Sequence, residues 1–151
     1  MKFESVLISV KDMEASKKFY KEVLGLDVIA DFGANVTLTG GIALQTESTW
    51  KGFIHMEKIT TGNGSELYFE EDDMDGIVKK LESFKEIKYV HKVFEHSWGQ
   101  RVVRIYDPDG HIIEIGENIK IVVRRFLASG MTDEETAVRM DVPVEYIKSC
   151  M

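Results

Sequence analysis

The sequence predicts an α+β fold built from two βαβββ modules and a C-terminal helical tail. Three observations carry that prediction. Alternating apolar positions, the mark of strands, give way twice to apolar positions spaced three and four apart, the mark of helices. The order strand, helix, three strands occurs once before residue 50 and again from residue 65, as an internal duplication. From residue 117 onward only helical spacing remains.

The opening stretch "FESVLISV" alternates, with Val6, Ile8 and Val10 on one face and Phe3, Ser5, Leu7 and Ser9 on the other. "KDMEASKKFYKEVLGL" then reads as a helix: Asp12 suits the N-cap, Met13, Phe19, Tyr20 and Val23 form an apolar stripe, and Gly25 suits the C-terminal stop. Three glycine-broken strands follow around "DVIADF", "NVTLTG" and "IALQTE". Residues 51–64 read as a connector with enough apolar side chains for some structure of their own.

In the second copy "SELYFEE" is the strand, and Asp73 caps a helix whose Met74, Ile77, Val78 and Leu81 recur at i, i+3, i+4 and i+7. "KYVHKVFEH", "QRVVRIYD" and "HIIEIGE" supply three more strands. Aligning the two capping aspartates needs an offset of 61, which lays Ser5 on Glu66, while Gln45 and Glu114 take similar places near the repeat ends. In the tail, Ile119, Val122, Val123, Phe126 and Leu127 make one amphipathic helix ended by Gly130. "TDEE" from Thr132 is a capping box, and Pro143 fits the first turn of a last short helix.

A chain of 151 residues suits one domain with a small appendage. No apolar run approaches the roughly 20 residues that cross a bilayer, and "MKFESVLISV" lacks the parts of a signal peptide, so a cytoplasmic protein without membrane contact is expected. The single cysteine, Cys150, excludes an internal disulfide and a cysteine-based zinc cluster, and reads as an exposed tail thiol. A net charge of −7 argues against a nucleic-acid partner.

Three stretches, "VKDMEASKKFYKEVLGL", "EEDDMDGIVKKL" and "WGQRVVRIYDPDGHIIEI", resemble the vicinal oxygen chelate superfamily, which includes glyoxalase I, the bleomycin- and fosfomycin-resistance proteins and the extradiol dioxygenases. The last is the most specific: a Trp-Gly loop, a strand, a DPDG turn and a strand bearing Glu. The resemblance covers residues 1–116, as modules 1–50 and 65–116, and leaves 117–151 as a tail. It implies a glyoxalase-like fold in which the modules curl into cups and complete a partly open barrel around a ligand cavity. It also implies a homodimer, and metal-ligand positions that fall here on Ser5, Gln45, Glu66 and Glu114.

The residues themselves point toward binding more than toward metal chemistry. Along "HIIEIG", Glu114 shares a face with Ile112 and opposes Ile113 and Ile115, so a ligand in the cup can reach it. Glu66 and Glu114 are the candidate catalytic carboxylates and, with Gln45, the candidate ligands of one divalent ion. Ser is a poor ligand, and neither first-strand position is the His that zinc, nickel or ferrous iron favours. Without a cation, two carboxylates in one cavity repel, and one would gain affinity for protons and serve as a base. Ser5, Gln45, Tyr68, Trp98, His96 and Tyr106 are the ligand-lining candidates. Trp50, Phe53 and Phe94 add aromatic surface beside the expected cups.

The expected function is a small-molecule-binding protein that holds an organic ligand in the cavity and needs no cofactor. The alternative is a divalent-metal lyase or isomerase of glyoxalase type using Glu66 and Glu114. A third reading takes "AVRMDVPVEYI" as a degenerate helix-turn-helix in a ligand-responsive regulator. There Asp141 replaces the turn glycine, and the reading helix offers only Lys148. A packing role for Phe126, Leu127, Met140 and Ile147, on the domain or on a second subunit, fits the tail better.

Overall fold

The computed structural model describes residues 4–60, 62 and 64–151; Phe3, assigned above to the first strand, lies outside them. The chain divides into two compact units, residues 1–64 with 107–111, and residues 65–106 with 112–151.

The first unit contains β1 (Val6–Val10), α1 (Met13–Glu22), β2 (Val28–Asp31), β3 (Asn35–Leu38), β4 (Ile42–Thr46) and α2 (Glu47–Ile54). The second contains β5 (Glu66–Glu71), α3 (Met74–Ser83), β6 (Lys88–Glu95), β7 (Arg101–Tyr106), β8 (Ile112–Glu117) and the tail helices α4 (Ile119–Ala128), α5 (Asp133–Met140) and α6 (Val144–Ser149). The sheet orders are β1-β4-β3-β2 and β5-β8-β7-β6, so the same topology occurs twice. In each sheet the outer first strand runs parallel to the last, because a helical crossover joins the first strand to the rest. Asp12 and Asp73 make the same cap: each carboxylate accepts the backbone N–H three residues on, from Ala15 at 3.0 Å and from Gly76 at 2.9 Å.

Burial follows the pleat. In the first unit Val10, Tyr20, Val36, Leu38 and Leu44 are buried. In the second, Leu81 and Val78 of α3 share a groove with Tyr89, Val93 and Val103, which places α3 over one face of the sheet. The other face carries Glu66, Tyr68 and Glu70 of β5, Ile112 and Glu114 of β8, Val102, Arg104 and Tyr106 of β7, and His91 and Phe94 of β6.

Two local expectations change. Residues expected to end a strand and begin a connector form α2, with Trp50 and Phe53 on a helix rather than on strands or loops. The spacing of Trp50, Phe53 and Ile54 is that of a helix face. Cys150 is not an exposed thiol: it is 5% accessible, packed with Val122, Val123, Ala137, Met140 and Ile147 in a small core of the tail. Tail helices too short to persist alone fold because they bury these side chains together.

The capping box of α5 matches expectation. Thr132 and Glu135 form the reciprocal box, Thr132 Oγ1 accepting from Glu135 N at 3.1 Å and Glu135 accepting from Thr132 N at 2.8 Å. Asp141, in the turn between α5 and α6, has φ 57° and ψ 46°, the left-handed conformation that a glycine would supply without strain. Pro143 stands at the N-cap of α6 rather than inside it.

Candidate functional site

The face of the second unit opposite α3 gathers most of the expected residues. Strand register decides this. β5 pairs with β8 so that Tyr68 stands beside Glu114, and β7 pairs with β8 so that Arg104 stands opposite Glu114.

Arg104 is the residue that the sequence reading missed. Its Nε donates to Glu66 Oε2 at 2.8 Å and its Nη2 to Glu66 Oε1 at 3.4 Å, while Nη2 also pairs with the Glu114 carboxylate. One guanidinium therefore serves both acids, its planar fork presenting Nε and Nη2 to Glu66 while Nη2 also faces Glu114. His91 completes the group: its Nδ1 faces the Lys92 carbonyl at 2.9 Å, and its Nε2 accepts from Arg104 Nη1 at 3.2 Å. Glu114 is 7% exposed and Glu66 is exposed, so the pair runs from the sheet interior outward. A signal for Arg104 did exist, since Arg104 and Glu114 each lie five residues from Asp109 in the DPDG turn and so must meet across a regular hairpin.

Aromatic rings continue the face along β6 and the loop after it. His91 and Phe94 meet edge to face at 4.7 Å, Phe94 and His96 likewise at 4.7 Å, and His96 stacks on Trp98 at 4.0 Å with planes 9° apart. Burial, then the charge of Arg104 and the nearby His91, lowers the pKa of His96 below its ordinary 6.5, which keeps the stacked imidazole neutral. Tyr68 is 48% exposed and Trp98 36%, so both rings present area to solvent. Tyr106 lies on the same face, half-buried between Lys88 and Ile112 in register.

Gln100, also unforeseen, ties the loop to the sheet. Trp98 Nε1 donates to its Oε1 at 3.2 Å, and its Nε2 donates to Tyr68 Oη at 3.1 Å and to the Glu117 carbonyl at 2.9 Å. Glu117, 1% exposed, accepts from Arg101 Nη2 at 2.9 Å and Arg125 Nη2 at 3.2 Å. Burial works against its charge, but the Arg101 guanidinium and then Arg125 hold its carboxyl below the ordinary carboxylate range.

The first unit offers a different picture. Ser5 is exposed and precedes β1, whose first pair is Val6 with Ile42. Gln45 pairs with Ser9 in register, four residues beyond Ser5, so the sheet does not bring the two together. Superposing the ladders through the capping aspartates puts Ala43, not Gln45, in the place that Glu114 holds, because Leu7 pairs with Ala43 as Tyr68 pairs with Glu114. The Gln45 amide is buried and engaged: it accepts from Asn35 Nδ2 at 2.8 Å and donates to Thr49 Oγ1.

The metal-binding expectation can be tested on this donor set, and the set does not fit. Glu66 and Glu114 share a cation already in Arg104, and Gln45 is spent on Asn35 and Thr49. Among the described residues no three His, Cys, Asp or Glu side chains come together in a group that could hold a metal ion. Nor is any helix among them long and apolar enough to cross a membrane.

In the DPDG turn of the first unit, buried Asp107 accepts from Tyr20 Oη at 3.0 Å and His111 Nδ1 at 2.8 Å through one oxygen, and from the backbone of Asp109 and His111 through the other. This network is local to the turn and to α1, and leaves His111 no role on the face described above.

Comparison with known proteins agrees with this architecture. The family described as the glyoxalase-like domain matches residues 3–120. A protein of unknown function from Agrobacterium tumefaciens str. C58 is 34% identical, with a TM-score of 0.70 over 78% of this chain and 94% of its own. A glyoxalase-related enzyme from Fulvimarina pelagi is 18% identical, with a TM-score of 0.69 over 78% of this chain and 88% of its own. A lactoylglutathione lyase from Agrobacterium tumefaciens is 22% identical, with a TM-score of 0.57 over 78% of this chain and 93% of its own. No curated protein matches. The repeated βαβββ topology and the match over residues 3–120 together place the chain in the glyoxalase-like domain family of the vicinal oxygen chelate superfamily.

Proposed function

We propose that this protein binds a small organic molecule on the face of the second unit opposite α3. A planar aromatic part lies against Tyr68, Phe94 and Trp98, and a positively charged or hydrogen-donating group points toward Glu66 and Glu114. The observation that carries this reading is the bridging of both carboxylates by Arg104. The guanidinium already pairs with the two carboxylates that a shared metal ion would need, and it leaves each acid with oxygen lone pairs for a ligand donor. Charge supports a cationic ligand, since Glu66, Glu70 and Glu114 outnumber Arg104 and Lys88 on this face. Exposed rings with a few oriented polar groups are the usual makings of a small-molecule site. Nothing in the donor geometry favours the metal-dependent lyase or isomerase, which would require Arg104 to leave both carboxylates.

We also infer a cytoplasmic homodimer. Exposed apolar side chains of Val28, Ile29 and Phe32 on and beside edge strand β2 support self-association.

Binding can be measured by tryptophan fluorescence with berberine, a planar aromatic cation, beside a neutral and a sulfonated planar compound. The cation should bind best, and Tyr68→Ala and Glu114→Gln should each weaken it by about tenfold, equivalent to about 1.4 kcal/mol. Preference for the sulfonate, or stoichiometric zinc, nickel or manganese retained after dialysis, would overturn the reading.

A further inference from the structure

The tail, most of which lies beyond the residues matched by the family, is built into the ligand-binding face. Arg125 Nη2, on α4, donates to the Gly99 carbonyl at 2.5 Å and to Glu117 at 3.2 Å, bridging the Trp98 loop and the end of β8. Phe126, the next residue, fills the space beneath the same glycine. A Cβ on Gly99 would stand 2.2 Å from the ring Cζ and 2.6 Å from Cε2. Gly99 itself has φ +90°, which only glycine adopts freely.

The loop is correspondingly tight. His96 N donates to the Gln100 carbonyl at 2.8 Å, and Gly99 N to the His96 carbonyl at 2.9 Å. Glu95, just before the loop, pairs with Arg125 at 3.5 Å and with Arg139 of α5 at 3.6 Å. Two tail helices thus hold the segment on which His96 and Trp98 stack.

We propose that Arg125 is a positioning residue for ligand binding: with Phe126 it fixes the Trp98–Gly99–Gln100 loop, so that the tail sets how well the stacked His96–Trp98 pair receives an aromatic ligand. This rests on the ligand-binding reading above. A ring that is only partly buried takes its orientation from its backbone, and a loop already ordered binds without losing further conformational freedom on association. Gln100 passes the same constraint to Tyr68 through its amide, so loosening the loop frees both aromatic walls.

The test uses the full chain carrying Trp50→Phe, which leaves Trp98 as the sole tryptophan of the two. Acrylamide quenching without ligand reports the order of the loop, and berberine titration reports affinity. Arg125→Ala should raise quenching of Trp98 and weaken berberine by about tenfold. Arg125→Lys, which keeps a donor, should recover part of both effects, and Val138→Ser, on an exposed face of α5, should change neither. Phe126→Leu removes the ring beneath Gly99 while keeping Arg125, and serves if Arg125→Ala does not fold; it should also raise quenching. A fall in melting temperature with unchanged quenching in Arg125→Ala and Phe126→Leu would overturn the proposal. If berberine fails to bind even the parent, the ligand class is wrong, and quenching alone still decides whether Arg125 and Phe126 fix the loop.

Discussion

Arg104 and Glu114 stand opposite each other across the β7–β8 ladder, and the guanidinium reaches from there to Glu66 on β5. The ion pair therefore joins three neighbouring strands. Its inner member is nearly dry, so removing the cation leaves a buried carboxylate unpaired, which costs more than the pair itself contributes.

Arg104→Met should accordingly destabilise the protein by about 3 kcal/mol at neutral pH, in the range known for broken buried pairs. Urea unfolding should show Arg104→Met/Glu114→Leu closer to the parent than Arg104→Met alone. A single variant as stable as the parent would mean that Glu114 has another partner.

The Asp107–His111 pair predicts a pH dependence. The bond to Asp107 lifts His111 above its ordinary 6.5, so its contribution is fully present below that value and is lost as pH rises through the raised folded pKa. Burial opposes the Asp107 charge, but the His111 bond wins and lowers its pKa below 3.8; that contribution is present above 3.8 and lost as pH falls through the depressed value. The stability difference between parent and His111→Gln should be about 1–2 kcal/mol near pH 5 and smaller by about pH 9, measured by denaturant melts. A difference that grows toward alkaline pH would contradict the pairing.

Gly99→Ala should be costly for two separable reasons, a left-handed φ and the Phe126 ring in the way. Strain and overpacking together predict a loss of about 2–4 kcal/mol. Adding Phe126→Leu should return the steric part only, so the double variant should melt between Gly99→Ala and the parent.

Asp141→Gly should stabilise the tail, because Asp141 holds a left-handed conformation that glycine adopts without a Cβ clash. The greater freedom of glycine in the unfolded chain offsets part of the gain, leaving about 0.5 kcal/mol. A loss of stability would show that the Asp141 side chain does something that its backbone does not require.

Much of the fold was legible because it rests on short-range spacing. Asp12 and Asp73 announced two equivalent helix starts, and the Thr132 box announced α5. Glu66, Glu114, Tyr68 and Tyr106 were legible because alternation assigns each strand residue to a face, whereas His96 and Trp98 were visible only as neighbours of the Trp-Gly loop that follows β6. Helix α2 was less so: its apolar positions were visible, but they followed a strand without a strong cap, since Thr46 makes no side-chain capping bond. Gln45 was placed by analogy of sequence position, and the ladder put it two residues past the place of Glu114.

By itself the sequence determined the duplication, the starts of α1, α3 and α5 and the face on which each strand residue lies, because these depend on contacts a few residues apart and on a pleat with period two. Only the tertiary structure decided that Glu66 and Glu114 share Arg104, that Cys150 is buried in the core of the tail, and that Arg125 and Phe126 seize the Trp98 loop. Those outcomes depend on which strands become neighbours and where a distant helix docks. Side-chain chemistry there is set by partners far away in the chain, and no local spacing encodes them.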